Sequence, residues 1–209
     1  MELSYKLVQE PRVEWNGKRP FAYARMSDEY AAILEDLALR KEAEIRALPV
    51  SKGWERGAES NPTTARFSSY SVFHLSPHTL PLFFAVRETY RHLLEAMGER
   101  PAPRFIQCWY NIHRVGHSIP RHAHTYPFIG VFSANAQGSV TRYGETREDS
   151  AGDVFVEHAP GQVFITTGPG HYHTTSSWHD EQRPRITYAF DIIDANQWKS
   201  TQVFLPFDA

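Results

Sequence analysis

The sequence predicts a mainly β protein in which helices come first and one β-barrel or β-sandwich follows. The chain has 209 residues, enough for one substantial hydrophobic core. Hydrophobic residues make up 41% and charged residues 22%, as in ordinary globular domains. After position 104, β-branched and aromatic runs are interrupted by Gly, Pro, Asn or Asp about every 8–12 residues, a rhythm typical of all-β folds.

Two helices are predicted in the first half of the chain. Ser27 suits an N-cap, since acidic residues follow it and favour the positive end of the helix dipole. A mostly helical pattern then continues until Pro49, which ends it. A second helix is predicted to start at Thr79, to present an apolar face and to end at Gly98.

The remaining segments complete a single domain of 1–209. Residues 1–25 are interpreted as an extended lead-in, because their prolines argue against a helix. Residues 51–69 are rich in Gly, Ser, Thr and Asn and are interpreted as a loop. We therefore predict a helical N-terminal support over residues 1–103, a β-barrel core over residues 104–195 and a C-terminal tail over residues 196–209.

Composition also indicates which binding partners and which cellular compartment to expect. The chain has 22 basic and 24 acidic side chains and a formal charge of −2, with no basic run of the kind that nucleic-acid binding needs. No stretch approaches the roughly 18–20 apolar residues of a membrane span. Cys108 has no second cysteine to pair with, which fits a reducing compartment. We expect a cytoplasmic protein that binds neither nucleic acid nor membrane.

Histidines of the C-terminal half carry the strongest chemical signal. On a strand, residues i and i+2 share a face, so His122 and His124 are expected on one side, as are His171 and His173. Two such pairs on neighbouring strands would bring three or four imidazoles to one point. Imidazole suits iron, zinc, copper and nickel, so the pattern alone does not choose the metal. Four other histidines have no such partner and are interpreted as loop or strand-end residues: His113, His117, His158 and His179.

A second chemical signal is the pair Arg185 and Thr187 in a strand-like run. Their spacing places a guanidinium and a hydroxyl group on the same face of the strand. A buried arginine needs a carboxylate partner, which the guanidinium fork binds bidentately. The alternative is a surface arginine at the start of a strand.

Taken together, these motifs resemble the iron(II)/2-oxoglutarate-dependent oxygenases of the double-stranded β-helix, or cupin-like, superfamily. The resemblance covers roughly residues 50–195. It is carried by CWYNIHRVGHSIPRHAHTYPFIGVF from Cys108 to Phe132, then by GQVFITTGPGHYH and RPRITYAFDI. The segment Ser51-Lys52-Gly53-Trp54 is similar to an S-x-G-W motif of the 2OG-Fe(II) oxygenase branch.

The resemblance implies a jelly-roll barrel, Fe(II) and 2-oxoglutarate as cofactors, and an oxidation, usually hydroxylation, that consumes O2. His122 corresponds to the proximal iron ligand and His173 to the distal ligand, with His171 as the competing choice. Arg185 corresponds to the residue that pairs with the C5 carboxylate of 2-oxoglutarate, assisted by Thr187. No catalytic residue beyond the metal ligands is implied, and a homodimer would be unsurprising for this class.

Position 124 departs from the family pattern. The usual facial triad is H-x-D/E…H, and this chain has His124 in place of the carboxylate. Two interpretations stay open. Either His124 is a third neutral ligand, or only two histidines bind the metal and His124 lies next to these ligands without binding the metal itself.

The expected substrate is a small or amino-acid-type molecule held in a cavity. The loop over 51–69 is a candidate cover for this cavity. Four aromatic residues of the strands are candidates for its wall: Trp109, Tyr110, Tyr126 and Phe128. Two other functions remain: a cupin-type three-histidine dioxygenase or isomerase that does not use 2-oxoglutarate, and a non-catalytic metal-binding β-sandwich.

Overall fold

The computed structural model describes residues 6–50, 52, 63–67, 72–197 and 205–208. These residues form eleven strands, two long helices and four short 3-10 helices. The strands and long helices are β1 (Leu7–Asn16), β2 (Arg19–Met26), α1 (Asp28–Arg46), α2 (Leu80–Met97), β3 (Arg104–His113), β4 (His122–Ala123), β5 (Phe128–Asn135), β6 (Val140–Gly144), β7 (Val154–Glu157), β8 (Gln162–Thr167), β9 (Tyr172–Thr175), β10 (Arg185–Asp194) and β11 (Leu205–Asp208).

The strands form two antiparallel sheets. The larger sheet has seven strands in the order β1-β2-β8-β5-β10-β3-β11, and the smaller has four in the order β4-β9-β6-β7. Residues of both sheets line one cavity. The prediction of a mainly β fold is therefore confirmed, whereas the predicted order, with the helices before all strands, is not.

Helices α1 and α2 pack against the larger sheet and bury its outer face in the main hydrophobic core. The Ser27 hydroxyl accepts a hydrogen bond from the Tyr30 amide at 3.2 Å, which caps α1 as predicted. Gly98 ends α2 with a φ of 69°, a left-handed conformation that glycine adopts without a steric penalty. Neither helix combines the length and the apolarity that crossing a membrane would require, within the part of the chain that is described.

The two ends of the chain differ from the prediction. Strands β1 and β2 form a hairpin, and β2 pairs with β8, so the larger sheet begins at Leu7 and not at position 104. Pro11 lies in β1 beside a register shift on the sheet edge, where a missing amide hydrogen is tolerated. Residues 1–103 are therefore not only a helical support. Strand β11, in the predicted tail, pairs with β3 and adds the other edge of this sheet.

Candidate metal centre

A cavity of about 600 Å³ lies between the two sheets. Strand β10 contributes every second residue to it, because alternate side chains of a strand share a face. Its neighbour β3 contributes the residues directly opposite. The four inward pairs are Arg185 with His113, Thr187 with Asn111, Ala189 with Trp109, and Asp191 with Gln107.

Three histidines meet at one side of this cavity. Strands β4 and β9 pair so that His122 lies directly opposite His173, and His124 follows two residues later. One nitrogen of each ring lies within 4.8 Å of the other two. The Nε2 atoms of His122 and His124 are 3.1 Å apart.

The polar contacts of His122 and His124 favour tautomers in which the Nε2 lone pairs of the two rings point at each other. His122 Nδ1 lies 2.8 Å from the Pro120 carbonyl oxygen and must donate a proton to it. His124 Nδ1 lies 2.9 Å from a carboxylate oxygen of Asp191, and this contact favours the tautomer with the proton on Nδ1. In these tautomers of the neutral rings both Nε2 atoms are unprotonated, and facing lone pairs repel unless a cation lies between them.

The spacing fits a shared metal ion. Metal–nitrogen bonds of about 2.1 Å at right angles would place two ligand atoms about 3.0 Å apart. His173 Nδ1 is buried and has no hydrogen-bond partner among the described residues. Burial lowers the pKa of His122, and burial with the two neighbouring imidazoles lowers the pKa of His173 well below its usual value. Neutral imidazole is the form that binds metals.

The structure does not bring His171 into this cluster. Its Nδ1 lies 3.2 Å from the Thr167 carbonyl oxygen, and its ring packs against Phe21 and Tyr143. Burial and nearby Arg19 lower its pKa to about 4. Of the two candidates for the distal position, only His173 lies beside His122 and His124.

Arg185 lies in the same cavity and is only 2% exposed. Its Nε donates a hydrogen bond to the Ser139 hydroxyl at 3.0 Å, and its Nη1 lies 3.3 Å from His113 Nδ1. No carboxylate of the described residues lies within ion-pair distance of the guanidinium. Burial lowers the pKa of Arg185 to about 10, so the group remains charged at neutral pH.

Thr187 and the predicted aromatic residues divide between the two faces of the sheet. Thr187 lines the cavity, and its hydroxyl lies 3.4 Å from Asn111 Nδ2. Trp109 and Tyr126 line the cavity as expected. The predictions for Tyr110 and Phe128 are wrong, because both belong to the core under the helices. Tyr110 follows Trp109 directly and so points to the opposite face, and Phe128 packs against Tyr90 with ring centroids 5.1 Å apart.

The loop predicted over 51–69 lies mostly outside the described residues. Only residues 52 and 63–67 of it are described, so the Ser51-Lys52-Gly53-Trp54 segment is not described as a unit. Thr63 and Ala65 line the cavity.

Several residues of the site were missed by sequence reasoning. His113 and His158 lie at strand ends, as predicted, but both are buried. The His158 ring joins the two sheets, because its nitrogens lie 3.0 Å from the Ser133 hydroxyl and 2.6 Å from the Thr141 hydroxyl. Asp191 was also missed, although its even spacing from Arg185 and Thr187 in an apolar run would have placed it on the same face.

An ion pair fixes the chain just before the first histidine. Arg121 Nη1 lies 2.9 Å from Asp153 Oδ2, and Arg142 Nε lies 2.7 Å from the same oxygen. Gly144 passes so close to Arg121 and Asp153 that a side chain at this position would collide with both. The Arg121–Asp153 pair therefore ties the start of β4 to the loop between β6 and β7.

Comparison with solved structures identifies the fold. A prolyl-4-hydroxylase from Pseudomonas putida is 12% identical with a TM-score of 0.62, over 83% of this chain and 92% of that one. A non-heme monooxygenase solved as the ThoJ–Ni complex is 15% identical with a TM-score of 0.55, over 88% and 78%. The non-heme alpha ketoglutarate dependent epimerase SnoN from nogalamycin biosynthesis is 11% identical with a TM-score of 0.53, over 84% and 76%.

The chain therefore has the jelly-roll, or double-stranded β-helix, fold of 2-oxoglutarate-dependent oxygenases, which confirms the predicted fold class. The three names describe different reactions, so this likeness assigns the fold and not the reaction. No protein-family model and no curated protein sequence matches the chain.

Proposed function

We propose that this protein is an iron(II)- and 2-oxoglutarate-dependent oxygenase that hydroxylates a small-molecule or amino-acid-type substrate. The observation that carries the proposal is that one cavity contains both a cluster of three imidazoles and a buried guanidinium without a carboxylate partner among the described residues. The first group suits a transition metal and the second suits a carboxylate ligand.

The surroundings of Arg185 favour an anionic ligand. A buried charge without a partner is unfavourable, and the uncharged contacts to Ser139 and His113 do not neutralise it. These contacts hold the guanidinium in one orientation on the cavity wall. One carboxylate of a dicarboxylate could pair with Arg185 there, and Thr187 lies two residues away on the same face to assist that contact.

The proposal assigns roles to polar and aromatic side chains of the site. His122, His124 and His173 would hold the iron through nitrogen atoms that already converge. Arg185 would bind and orient 2-oxoglutarate, and the Trp109 ring would exclude water from the wall beside it. When bound, iron and 2-oxoglutarate would supply the oxidising chemistry with O2. A volume of about 600 Å³ is of the size that small-molecule sites usually have.

The first test is spectroscopic and uses purified protein without a His-tag. We expect Fe(II) and 2-oxoglutarate, added without oxygen, to give a weak visible charge-transfer band that His122→Ala abolishes. His179→Ala is the matched control, because His179 is exposed and lies outside the cluster. A band that survives in His122→Ala would remove this residue from the metal centre.

Succinate release, measured over a panel of small-molecule and amino-acid-type substrates, separates the proposal from its main alternative. Three neutral imidazoles are also the ligand set expected of a cupin-type dioxygenase or isomerase that does not use 2-oxoglutarate. Turnover without succinate would favour that alternative. Protein that is metal-free and still fully stable would favour a non-catalytic β-sandwich.

A further inference from the structure

Asp191 is the one carboxylate that lines the cavity among the described residues. It lies on β10, six positions after Arg185 and on the same face of the strand. Only 2% of the residue is exposed. A carboxylate buried in this way needs a partner, since an isolated buried charge is strongly unfavourable.

Asp191 contacts one residue of the neighbouring strand and one residue of the histidine cluster. Oδ2 accepts a hydrogen bond from Gln107 Nε2 at 2.6 Å, and Gln107 lies directly opposite on β3. Oδ1 makes no aligned hydrogen bond with the described residues, but it lies 2.9 Å from His124 Nδ1. Across the described chain, no lysine or arginine forms an ion pair with this carboxylate, and Oδ1 contacts the His124 imidazole instead.

His124 lies between the carboxylate and the other two histidines. Its Nδ1 faces Asp191, and its Nε2 lies 3.1 Å from His122 Nε2. The Trp109 ring is stacked on the imidazole with an interplanar angle of 17° and ring centroids 6.4 Å apart. These contacts favour one orientation of the ring and the Nδ1–H tautomer, in which the Nε2 lone pair is directed at the cluster.

We infer that Asp191 is a positioning residue for His124 and makes it a metal ligand, so that the negative charge missing from position 124 is supplied from behind the imidazole. This inference rests on the metal centre of the proposed function. Three neutral ligands would leave a divalent cation with both of its charges uncompensated. A carboxylate behind one imidazole removes one of those charges and raises the basicity of the ligand.

The test measures metal affinity without 2-oxoglutarate and without turnover. Co(II) and Fe(II) dissociation constants are obtained by anaerobic competition with a chromogenic chelator. We expect Asp191→Asn to weaken binding about 10- to 100-fold, the usual effect of losing such a partner. Asp194→Asn is the matched control, because Asp194 lies on the same strand, on the opposite face, and pairs with Arg104. Its affinity should equal that of the unchanged protein.

The same substitution in a second background tests whether Asp191 acts through His124. In His124→Asp, the introduced carboxylate would lie close to Asp191, and two like charges in a buried site oppose each other. We therefore expect Asp191→Asn to leave metal affinity unchanged or to strengthen it in that background. Equal weakening in both backgrounds would show that Asp191 acts directly on the metal and would overturn the inference.

A further readout needs no metal at all. Nitrogen-15 NMR of the metal-free protein reports which ring nitrogen carries the proton. We expect His124 in the Nδ1–H form, and we expect a mixture of tautomers in Asp191→Asn with unchanged circular dichroism. A Nε2–H form in the unchanged protein would contradict the inference.

The outcomes also separate this inference from the proposed function. Metal binding that depends on Asp191, without any binding of 2-oxoglutarate, would overturn the proposed function and leave the inference standing. Metal binding that Asp191→Asn does not change would overturn the inference alone. An unchanged protein that binds no metal would overturn both.

Discussion

The two faces of strand β10 belong to different kinds of environment. The outer face carries Ile186, Tyr188, Phe190 and Ile192, all at most 1% exposed and packed in the core under the helices. The inner face carries a guanidinium, a hydroxyl and a carboxylate and borders a cavity. Both faces are buried, but only the inner one has a charge, that of Arg185, for which no ion pair is found among the described residues.

This difference separates the face that stabilises the fold from the face that we propose binds a ligand. Apolar side chains on the outer face contribute to stability through burial. Charges such as Arg185 are unfavourable until a ligand of opposite sign arrives. We expect substitutions on the two faces to affect different measurements.

The largest effect is expected on the outer face. Ile186→Ala should lower the free energy of unfolding by about 2–5 kcal/mol, because it leaves a cavity where the side chain is fully buried. Ile186 lies between Arg185 and Thr187, and yet the affinity of the folded protein for 2-oxoglutarate should change less than about twofold, since its side chain points away. Urea unfolding and anaerobic titration measure the two quantities.

Ile186→Val is the graded control, for which about 0.5–1.5 kcal/mol is expected. Affinity for 2-oxoglutarate that falls in parallel with stability would show that the two faces are not separable.

The next effect is expected on the inner face. Arg185→Met should raise the 2-oxoglutarate requirement more than tenfold, because a charged hydrogen bond contributes about 1.5–3 kcal/mol. The ligand-free protein should keep its stability or gain some, because an unpaired buried charge is replaced by an apolar side chain. Succinate release against 2-oxoglutarate concentration and urea unfolding test both parts.

Arg183→Met is the matched control, because Arg183 is 59% exposed in its side chain and pairs with Glu35 on the surface. An unchanged requirement in Arg185→Met would place the carboxylate site elsewhere.

The smallest effect concerns pH and His158, which lies on the inner side and joins the two sheets. Burial and nearby Arg185 lower the pKa of His158 to about 3. Its unfolded pKa is about 6.5, so in the window between these values only the unfolded chain takes up the proton. Stability is therefore full above about pH 6.5 and falls as the pH falls.

We expect His158 to contribute a loss of about 1.4 kcal/mol per pH unit between pH 6 and pH 5. Urea unfolding at pH 7, 6 and 5 should show this loss for the unchanged protein and a slope shallower by that amount for His158→Gln. Equal slopes would mean that His158 titrates normally in the folded state.

Local sequence was sufficient for the helices and for much of the histidine pattern. The signals at Ser27 and Gly98 act within one turn of helix, so they are readable without knowledge of the fold. Spacing by two was likewise enough to put Arg185 and Thr187 on one face. The hairpin of β1 and β2 was missed because a strand gains its partners from distant residues, here from β8.

By itself, the sequence determined the class of fold, the histidine and arginine motifs and the departure from the family pattern at position 124. Only the tertiary structure placed His173, and not His171, beside His122 and His124, directed Tyr110 and Phe128 into the core, and placed Asp191 next to His124. The physical reason is that side-chain periodicity is local, whereas the pairing of strands 50 or more residues apart fixes which faces meet.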